Sequence, residues 1–170
     1  MTVTYCDAAI ADGPALAEMG RRCFVETFGA HFPADDMALH LRRMFGPEGL
    51  PAELAEGRVR VRMAQEGGVI AGYLKLAPVS LPMVHEPNAL EIKQLYILAP
   101  WQGAGVAGAL MDWAVETGRA DGAPALYLSV WEHGARAIAF YSRFGFVTVG
   151  VAPFQLGTRS YQDPVMRLAL

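Results

Sequence analysis

The fold of this chain is decided by residues 89–120, which read A-L-E-I-K-Q-L-Y-I-L-A-P-W-Q-G-A-G-V-A-G-A-L-M-D-W-A-V-E-T-G-R-A. They predict a half-buried strand over residues 90–98, a glycine-rich loop, and an amphipathic helix that starts after Gly105. Pro100 interrupts the strand, because proline has no backbone N–H to donate to a neighbouring strand. The apolar residues of the strand are Leu90, Ile92, Leu95 and Ile97.

The loop between this strand and this helix is Gln102 to Ala107, with glycine at 103 and 105. Glycine has no Cβ, so the backbone can turn sharply there and approach a ligand closely. The first N–H groups of a helix have no partner inside it, and the helix dipole adds positive potential. A strand, a glycine turn and a helix start are together typical of a phosphate site. The alternative is a tight strand-to-helix turn without a ligand.

A nicotinamide site is a second alternative, because Gly103, Gly105 and Gly108 spell G-x-G-x-x-G. Asp121 also lies near the spacing at which a dinucleotide fold places its ribose-binding acid. The context argues against this interpretation. Four residues, 99–102, separate the strand from the first glycine, whereas the dinucleotide turn follows its strand directly. Asp121 also precedes the next predicted strand instead of lying at its carboxyl end.

Two motifs in this chain resemble the GNAT N-acetyltransferase superfamily. Gln102, Gly105 and Ala107 match Gln/Arg-x-x-Gly-x-Gly/Ala, the pattern of its acetyl-CoA pyrophosphate loop. Residues 137–146 read A-x-x-F-Y-x-x-x-G-F, which is similar to the other half of that cofactor site. Both motifs in this order, about one helix and one strand apart, are more specific than either alone.

A finer resemblance is to the PaiA-type branch of bacterial GNAT proteins, which is known for polyamine acetylation. The segments that carry it are Glu26-Thr27-Phe28, residues 72–76, residues 128–132, and the ending Phe154-Gln155-Leu156-Gly157 with Asp163 and Met166.

Length and composition favour one globular domain over residues 1–170, because the chain is 53% hydrophobic and 18% charged. A net charge of −3 does not indicate binding to nucleic acid or to a membrane surface, both of which attract basic proteins. Cys6 and Cys23 are too few for a disulfide framework or a metal site. Nothing at residues 1–7 resembles a signal peptide and no apolar run is long enough to span a bilayer, so we expect a cytoplasmic protein.

The remaining patterns predict strands and helices on both sides of the central stretch. The predicted strands are residues 2–5, 58–65, 69–77, 125–131, 146–151 and 161–169, with a loop at 154–157. The predicted helices are residues 8–23, a helix capped by Asp35 or Asp36 and ended by Gly46-Pro47, a further turn within 48–56, and a helix from 134 or 135 to 143. This order describes an α/β fold in which a mixed, GNAT-like sheet of about seven strands carries helices on both faces.

The resemblance implies that acetyl-CoA lies in a wedge where two adjacent parallel strands splay apart, here residues 90–98 and 125–131. Splayed strands leave backbone groups unpaired, and the pantetheine arm can pair with them. By resemblance, this arm is held by the backbone at Tyr96, Ile97 and Leu98, and one of their N–H groups polarises the thioester carbonyl. The pyrophosphate is held by the N–H groups of Gln102, Gly103, Ala104, Gly105, Val106 and Ala107.

Tyr141 is the candidate general acid implied by the Phe-Tyr motif. When an amine attacks the thioester directly, a thiolate leaves and benefits from a nearby proton donor. The alternative role for Tyr141 is a packed core residue whose hydroxyl finds a backbone partner. Many relatives carry asparagine at the position of Gly134, so either a neighbour such as His133 or Arg136 replaces it or the cofactor is bound more weakly.

The general base and the acceptor are less well defined by the sequence. The candidates for the base, directly or through water, are Glu91, Glu26, His31, Glu132 and His133. Glu26 and Phe28 belong to a block that borders the acceptor site in related proteins. A polyamine site would need several converging carboxylates, for which Asp35, Asp36 and Glu26 are candidates. A small primary amine, an amino acid, an antibiotic or a protein N-terminus is equally compatible with the sequence.

Two functions from different classes follow. The first is an acetyl-CoA-dependent N-acetyltransferase that transfers the acetyl group directly to a primary amine of a small molecule, such as a polyamine, or of a peptide. The second is a GNAT-fold regulatory protein that binds acetyl-CoA with little turnover. Exposed strand edges near the carboxyl end also suggest a homodimer.

Overall fold

The computed structural model of the chain describes residues 2–170, which form seven strands and five α-helices. The strands are β1 (Thr4–Asp7), β2 (Arg60–Glu66), β3 (Val69–Pro78), β4 (Leu90–Ile97), β5 (Ala125–Ser129), β6 (Val147–Leu156) and β7 (Arg159–Ala169). The helices are α1 (Gly13–Phe28), α2 (Ala34–Phe45), α3 (Leu50–Ala55), α4 (Val106–Ala120) and α5 (Ala135–Arg143). Two short 3-10 helices, Ile10–Asp12 and Ala99–Trp101, precede α1 and the glycine loop.

The seven strands form one sheet in the order β1-β2-β3-β4-β5-β7-β6. Neighbouring strands are antiparallel except β4 and β5, which run parallel. Helices α1, α2 and α3 pack on one face through the clusters around Leu16 and Phe24, and α4 and α5 pack on the other face around Leu110. The predicted mixed α/β sheet with helices on both faces is therefore confirmed.

The parallel strands β4 and β5 pair only at their beginnings. Leu90 lies opposite Leu126 and Glu91 opposite Tyr127, and no further residues of the two strands are paired. Strand β5 nevertheless stays paired with β7 as far as Ser129. The carboxyl-terminal half of β4 has therefore parted from β5, which opens the predicted wedge in the middle of the sheet.

A β-bulge in β4 determines which side chains face which layer. Gln94 pairs with Lys75 and Ile92 with Leu76, so Lys93 is an extra residue in β4. The bulge shifts the alternation by one, and the apolar positions 90, 92, 95 and 97 all face α4. Tyr96 instead faces α1 and α2, where its ring lies 6.3 Å from that of Phe45. The spacing of the four apolar residues agrees with this bulge, because in a regular strand the apolar residues after Ile92 would stand at 94 and 96.

Helix α1 is longer at its carboxyl end than predicted. It begins at Gly13, after the 3-10 turn, and continues five residues past the predicted end at Cys23, to Phe28. Asp12 occupies the N-cap position, yet its carboxylate accepts the N–H of Ala9 at 2.8 Å and caps no N–H of the helix. The block around Glu26 is consequently the last turn of α1 rather than a connection between two helices.

The loop predicted at residues 154–157 is also different, because β6 continues to Leu156 and a tight turn at Gly157 leads into β7. Gly157 has a φ of +59°, and a Cβ at this position would lie 2.3 Å from the Cα of Asp36. Asp36 does not cap α2, whose N-cap is Pro33. Its Oδ1 instead accepts hydrogen bonds from the N–H and the hydroxyl of Thr158, both at 2.7 Å. The carboxylate thereby ties α2 to the β6–β7 turn.

Both cysteines, Cys6 and Cys23, are free thiols. None of the helices within residues 2–170 combines the length and the apolar character that crossing a membrane requires.

Candidate functional site

Backbone groups of β4 line one wall of the wedge. The backbone N–H and carbonyl of Leu98 both have hydrogen-bond partners. The N–H donates to Ala71 O at 2.9 Å, and the carbonyl accepts from Trp101 N at 3.0 Å. Ile97, one residue earlier, points its backbone groups the other way, because they alternate along a strand. Its carbonyl oxygen accepts only side-chain donors, Gln102 Nε2 at 3.0 Å and Cys23 Sγ at 3.7 Å. Ile97 therefore offers main-chain groups to the wedge, whereas Leu98 does not.

The glycine loop beside the wedge presents free N–H groups to open space. The N–H groups of Gln102 and Ala104 donate to Ala99 O and Trp101 O, at 3.2 and 3.3 Å. The loop and first-turn N–H groups that donate to no backbone acceptor within residues 2–170 are those of Gly103, Gly105, Val106, Ala107 and Gly108.

The conformation of this loop requires glycine. Gly103 and Gly105 have φ values of +81° and +84°, in the left-handed region that side chains disfavour. A Cβ on either residue would meet no atom within 4 Å, so no other part of the protein covers this side of the loop. An uncovered set of N–H groups at the start of α4 can hold an anion.

Arg136 supplies a cation at the same place. This residue lies in the first turn of α5, and its Nη1 donates to Gln102 Oε1 at 3.0 Å. The amide of Gln102 thus connects three elements, since its Nε2 also donates to Ile97 O. From the sequence, Gln102 is a candidate for its backbone N–H, and Arg136 is one of two candidates to replace the asparagine absent at Gly134. Only the tertiary structure brings the guanidinium to the loop.

Gly134, at the position where the family resemblance implies asparagine, is the N-cap residue of α5. A Cβ at this position would lie 3.0 Å from the carbonyl oxygen of Trp131, which is closer than a side chain usually approaches. An asparagine would therefore require the backbone to shift here. Arg136, two residues later, is the polar side chain that reaches the glycine loop instead.

Tyr141 lies on α5 with its ring half-buried in the sheet-facing side of the helix. The ring contacts Phe140 and Phe146, with centroid distances of 5.4 and 5.8 Å. Burial raises the pKa of Tyr141 to about 12, so its hydroxyl keeps its proton across the physiological range. Burial also raises the pKa of Tyr96 on β4, whose ring faces α1 and α2. Both tyrosines therefore keep their protons at neutral pH.

An aromatic cluster lies where the end of α1 meets the end of β5. We define this cluster as Phe28, His31, Phe32, Trp131 and Tyr161. Trp131 is its centre, with ring centroids 5.5 Å from Phe28 and 4.8 Å from His31. Phe32 links Trp131, at 6.3 Å, to Tyr161 on β7, at 5.1 Å. None of the five rings is fully buried, so the cluster lines the open surface on the α1–α2 side of the sheet.

The candidate bases are mostly paired or exposed. Glu91 is buried, but it accepts the N–H of Ser80 at 2.8 Å and lies 3.2 Å from Lys93 Nζ. Glu26 is exposed and forms an ion pair of 2.7 Å with Arg22.

The two histidine candidates both lie beside Trp131. His31 belongs to the aromatic cluster, and the ring of His133 lies 5.2 Å from that of Trp131. His133 and its neighbour Glu132 are exposed, with 3.6 Å between Nε2 and Oε1.

Asp163 is an acidic residue that sequence reasoning did not place in the site. It lies on β7 two residues from Tyr161 and is only 5% exposed, and its Oδ1 has no hydrogen-bond partner. Burial raises the pKa of Asp163 to about 6, although the backbone N–H of Glu132 donates to the carboxylate and lowers it. The available signal was its spacing, because Tyr161, Asp163 and Val165 share one face of a strand and Val165 is fully buried.

Comparison with known proteins agrees with this geometry. A protein-family model described as the Acetyltransferase (GNAT) family matches residues 16–146. An uncharacterised N-acetyltransferase of Lactobacillus delbrueckii subsp. lactis is 31% identical over 160 residues, which is 94% of this chain and 92% of the relative. An uncharacterised N-acetyltransferase of Mycobacterium tuberculosis is 32% identical over 113 residues, or 66% of this chain and 69% of the relative.

Two solved structures share the fold. The PaiA N-acetyltransferase of Thermoplasma acidophilum, solved in complex with coenzyme A, has a TM-score of 0.81 at 17% identity, with both chains completely covered. YncA of Salmonella typhimurium, solved with its cofactor acetyl-CoA, has a TM-score of 0.72 at 20% identity, covering 100% of this chain and 95% of that one. Because the family model spans most of the chain and the Lactobacillus relative aligns over nearly all of it, the chain belongs to the GNAT acetyltransferase family, as the two motifs predicted.

Proposed function

We propose that this protein is an N-acetyltransferase that uses acetyl-CoA as co-substrate and transfers the acetyl group directly to a primary amine of a small molecule or peptide. The observation that carries the proposal is the wedge between β4 and β5, with the carbonyl of Ile97 on its wall and free N–H groups at its mouth. Neither feature is needed for a simple strand-to-helix turn.

The cofactor would be held mainly by backbone groups. The N–H groups from Gly103 to Ala107 that lack partners bind the pyrophosphate, and Arg136 adds a positive charge beside them. The pantetheine arm pairs with Ile97 in place of β5, as an added strand would. Gln102 Nε2 occupies the Ile97 carbonyl in the free protein, so the arm replaces one amide donor by another.

Acetyl-CoA supplies an acetyl group activated as a thioester, and the chain's own groups assist its transfer. The N–H of Ile97 polarises the carbonyl oxygen, which gains negative charge as the amine attacks. Tyr141 donates its proton to the sulfur as the C–S bond breaks, and its raised pKa keeps that proton available at neutral pH. The acceptor amine enters from the α1–α2 side, where Phe28 belongs to the aromatic cluster and Glu26 lies at the rim.

A regulatory protein that binds acetyl-CoA with little turnover is the second candidate. The observations that favour it are Gly134 in the place of asparagine and the pairing of Glu91 with Lys93. Calorimetric titration with acetyl-CoA, followed by a thiol-release screen against a panel of amines, separates the two functions. Saturable binding with amine-dependent release of coenzyme A supports the enzyme, and binding without release for every amine supports the regulator. Absence of binding contradicts both.

We also propose that the protein forms a homodimer through β6. This strand lies at the edge of the sheet and exposes Val147, Val149 and Val151. An unpaired edge with apolar side chains is a template for pairing with a second copy. Light scattering would then give the mass of a dimer, and Val149→Lys would give a monomer. A monomeric wild-type protein contradicts the proposal.

A further inference from the structure

Resting on the proposed function, we infer that the acceptor is a monoamine with a flat apolar body, which binds on the aromatic cluster and gives its ammonium proton to Asp163. The juxtaposition that points to this is an unpartnered, buried carboxylate next to five aromatic rings that line an open surface.

The position of Asp163 beside the cluster follows from the strand register. Tyr161 and Asp163 share one face of β7, and Val130 N donates to Pro164 O at 3.0 Å, which fixes the end of β5 against β7. The backbone N–H of Glu132, the residue after Trp131, donates to the carboxylate of Asp163. The register therefore places the carboxylate on the same face of β7 as Tyr161 and near the backbone that follows Trp131.

A buried carboxylate with an unpaired oxygen is costly unless a ligand compensates it. Desolvation penalises the charged form, and a cation in direct contact removes most of that penalty. An ammonium group provides the cation and the hydrogen-bond donors that Oδ1 lacks. The groups whose charge acts on Asp163 are Glu132, which repels the carboxylate, and the exposed His133; no ion pair within residues 2–170 contains Asp163.

The aromatic cluster favours an acceptor of particular shape. Rings attract an ammonium over their faces and pack against flat apolar groups. The cluster members next to Trp131 come from α1 and the α1–α2 connection, and Tyr161 comes from β7, so an apolar ligand body on the open side of the cluster would contact all three.

A polyamine fits this surface poorly, because two of the three other acidic candidates are already paired and the third, Asp35, is exposed to solvent. Asp36 is held by Thr158 and by Arg159, whose Nε lies 3.1 Å away. Glu26 is paired with Arg22. One free buried carboxylate matches one ammonium group.

Asp163 and Tyr141 together account for every proton that moves during the transfer. The ammonium proton passes to the Asp163 carboxylate, and the freed nitrogen forms the C–N bond to the acetyl carbon. The C–S bond breaks, and sulfur takes the proton of Tyr141. The second nitrogen proton, released as the amide forms, restores Tyr141 through solvent, and Asp163 then gives its proton to water.

The test compares three acceptors: 2-phenylethylamine, which is cationic at neutral pH, phenylacetic hydrazide, which is neutral with a similar body, and spermidine. We expect the wild-type protein to have a higher kcat/KM for 2-phenylethylamine than for spermidine. Asp163→Asn keeps an oxygen for the N–H of Glu132 and removes the charge. We expect it to lower kcat/KM for 2-phenylethylamine at pH 7 about 100-fold, to leave the hydrazide within about twofold, and to leave acetyl-CoA affinity unchanged.

The pH profile gives a readout that a structural role would not change. In the wild-type protein, kcat/KM for 2-phenylethylamine should rise as Asp163 ionises near pH 6 and then level off. In Asp163→Asn only the unprotonated amine reacts, so kcat/KM should rise up to the pKa of the amine itself. Glu56→Gln, which removes an exposed carboxylate paired with Arg58 at the end of α3, is the matched control and should keep the wild-type profile.

Several outcomes overturn the inference. These are a preference for spermidine, an equal loss of kcat/KM for both aromatic acceptors in Asp163→Asn, or an unchanged pH profile in that variant.

Phe32→Leu provides a second variant, which should lower kcat/KM for 2-phenylethylamine more than for propylamine. Equal losses of kcat/KM for the two amines contradict the role of the cluster. If coenzyme A is released with other amines but not with 2-phenylethylamine, only this inference is wrong. If the protein does not bind acetyl-CoA, the proposed function itself is wrong.

Discussion

The guanidinium of Arg136 donates a hydrogen bond of 3.0 Å to the side-chain oxygen of Gln102 and so joins the start of α5 to the glycine loop. The two residues lie on opposite sides of the wedge between β4 and β5. Because Gln102 also donates to the carbonyl of Ile97, one side chain connects the part of the wedge suited to an amide with the part suited to a phosphate. A ligand that carries both groups would contact this connection at both ends.

Removal of the Arg136 charge should weaken coenzyme A binding through its phosphates alone. We expect Arg136→Ala to raise the Kd for coenzyme A about tenfold, which corresponds to about 1.4 kcal/mol. The affinity for acetyl-pantetheine, which has no phosphate, should be nearly unchanged. Arg143→Ala at the other end of α5 is the control and should bind coenzyme A as the wild-type protein does. Equal losses for both ligands in Arg136→Ala would show that the arginine only supports the fold.

Removal of the Tyr141 hydroxyl should affect turnover and not binding. We expect Tyr141→Phe to lower kcat about 100-fold, because the leaving sulfur loses its proton donor. The Kd for acetyl-CoA, measured by calorimetry, should stay within about twofold, since the ring and its packing remain. Tyr5→Phe, on β1 away from the wedge, is the control. Unchanged kcat in Tyr141→Phe at every pH would remove Tyr141 as the acid.

Gly105 and Gly108 allow a matched test of the glycine loop. Gly105 has a φ of +84°, so Gly105→Ala should lower the free energy of unfolding by about 1 kcal/mol and weaken coenzyme A binding. Gly108 lies within α4 in open space, so Gly108→Ala should stabilise the protein by up to about 1 kcal/mol and leave binding intact. Urea unfolding and calorimetry measure both effects. Wild-type affinity in Gly105→Ala would contradict the proposed phosphate site.

The central stretch could be predicted from sequence because its signals are local. A strand, a left-handed glycine turn and an amphipathic helix each depend on residues close together in the chain, and β4, Gly105 and α4 are found where the pattern places them. The bulge at Lys93 was not predicted, although the spacing of the apolar residues in β4 agrees with it. The end of α1 was misplaced because Phe28 packs on residues distant in sequence, among them Trp131, and such contacts extend a helix beyond its local pattern.

The polar pairings of the site could not be predicted, because they depend on contacts between distant residues. Asp36 reads as a helix cap, yet its partner Thr158 lies 122 positions away. The sequence offers both His133 and Arg136 near Gly134, and only the fold shows that Arg136 is the one that reaches Gln102. In the sequence, Asp163 is one charged residue within a predicted strand. Only its burial and its unpaired oxygen in the structure distinguish it from the other acidic residues.

The contact between Asp36 and Thr158 predicts how stability depends on pH. The hydrogen bonds from Thr158 lower the pKa of Asp36, with a further contribution from Arg159. A carboxyl group with a lowered pKa in the folded state stabilises the fold above its unfolded pKa, and this contribution is lost as the pH falls through the folded value. We therefore expect Asp36→Ala to lower the Tm by several degrees at pH 7 and to have a much smaller effect at about pH 2. Thr158→Val, which removes the hydroxyl but keeps the backbone N–H, should show a smaller loss at pH 7. If Asp36→Ala lowers the Tm equally at both pH values, the carboxylate acts only through packing.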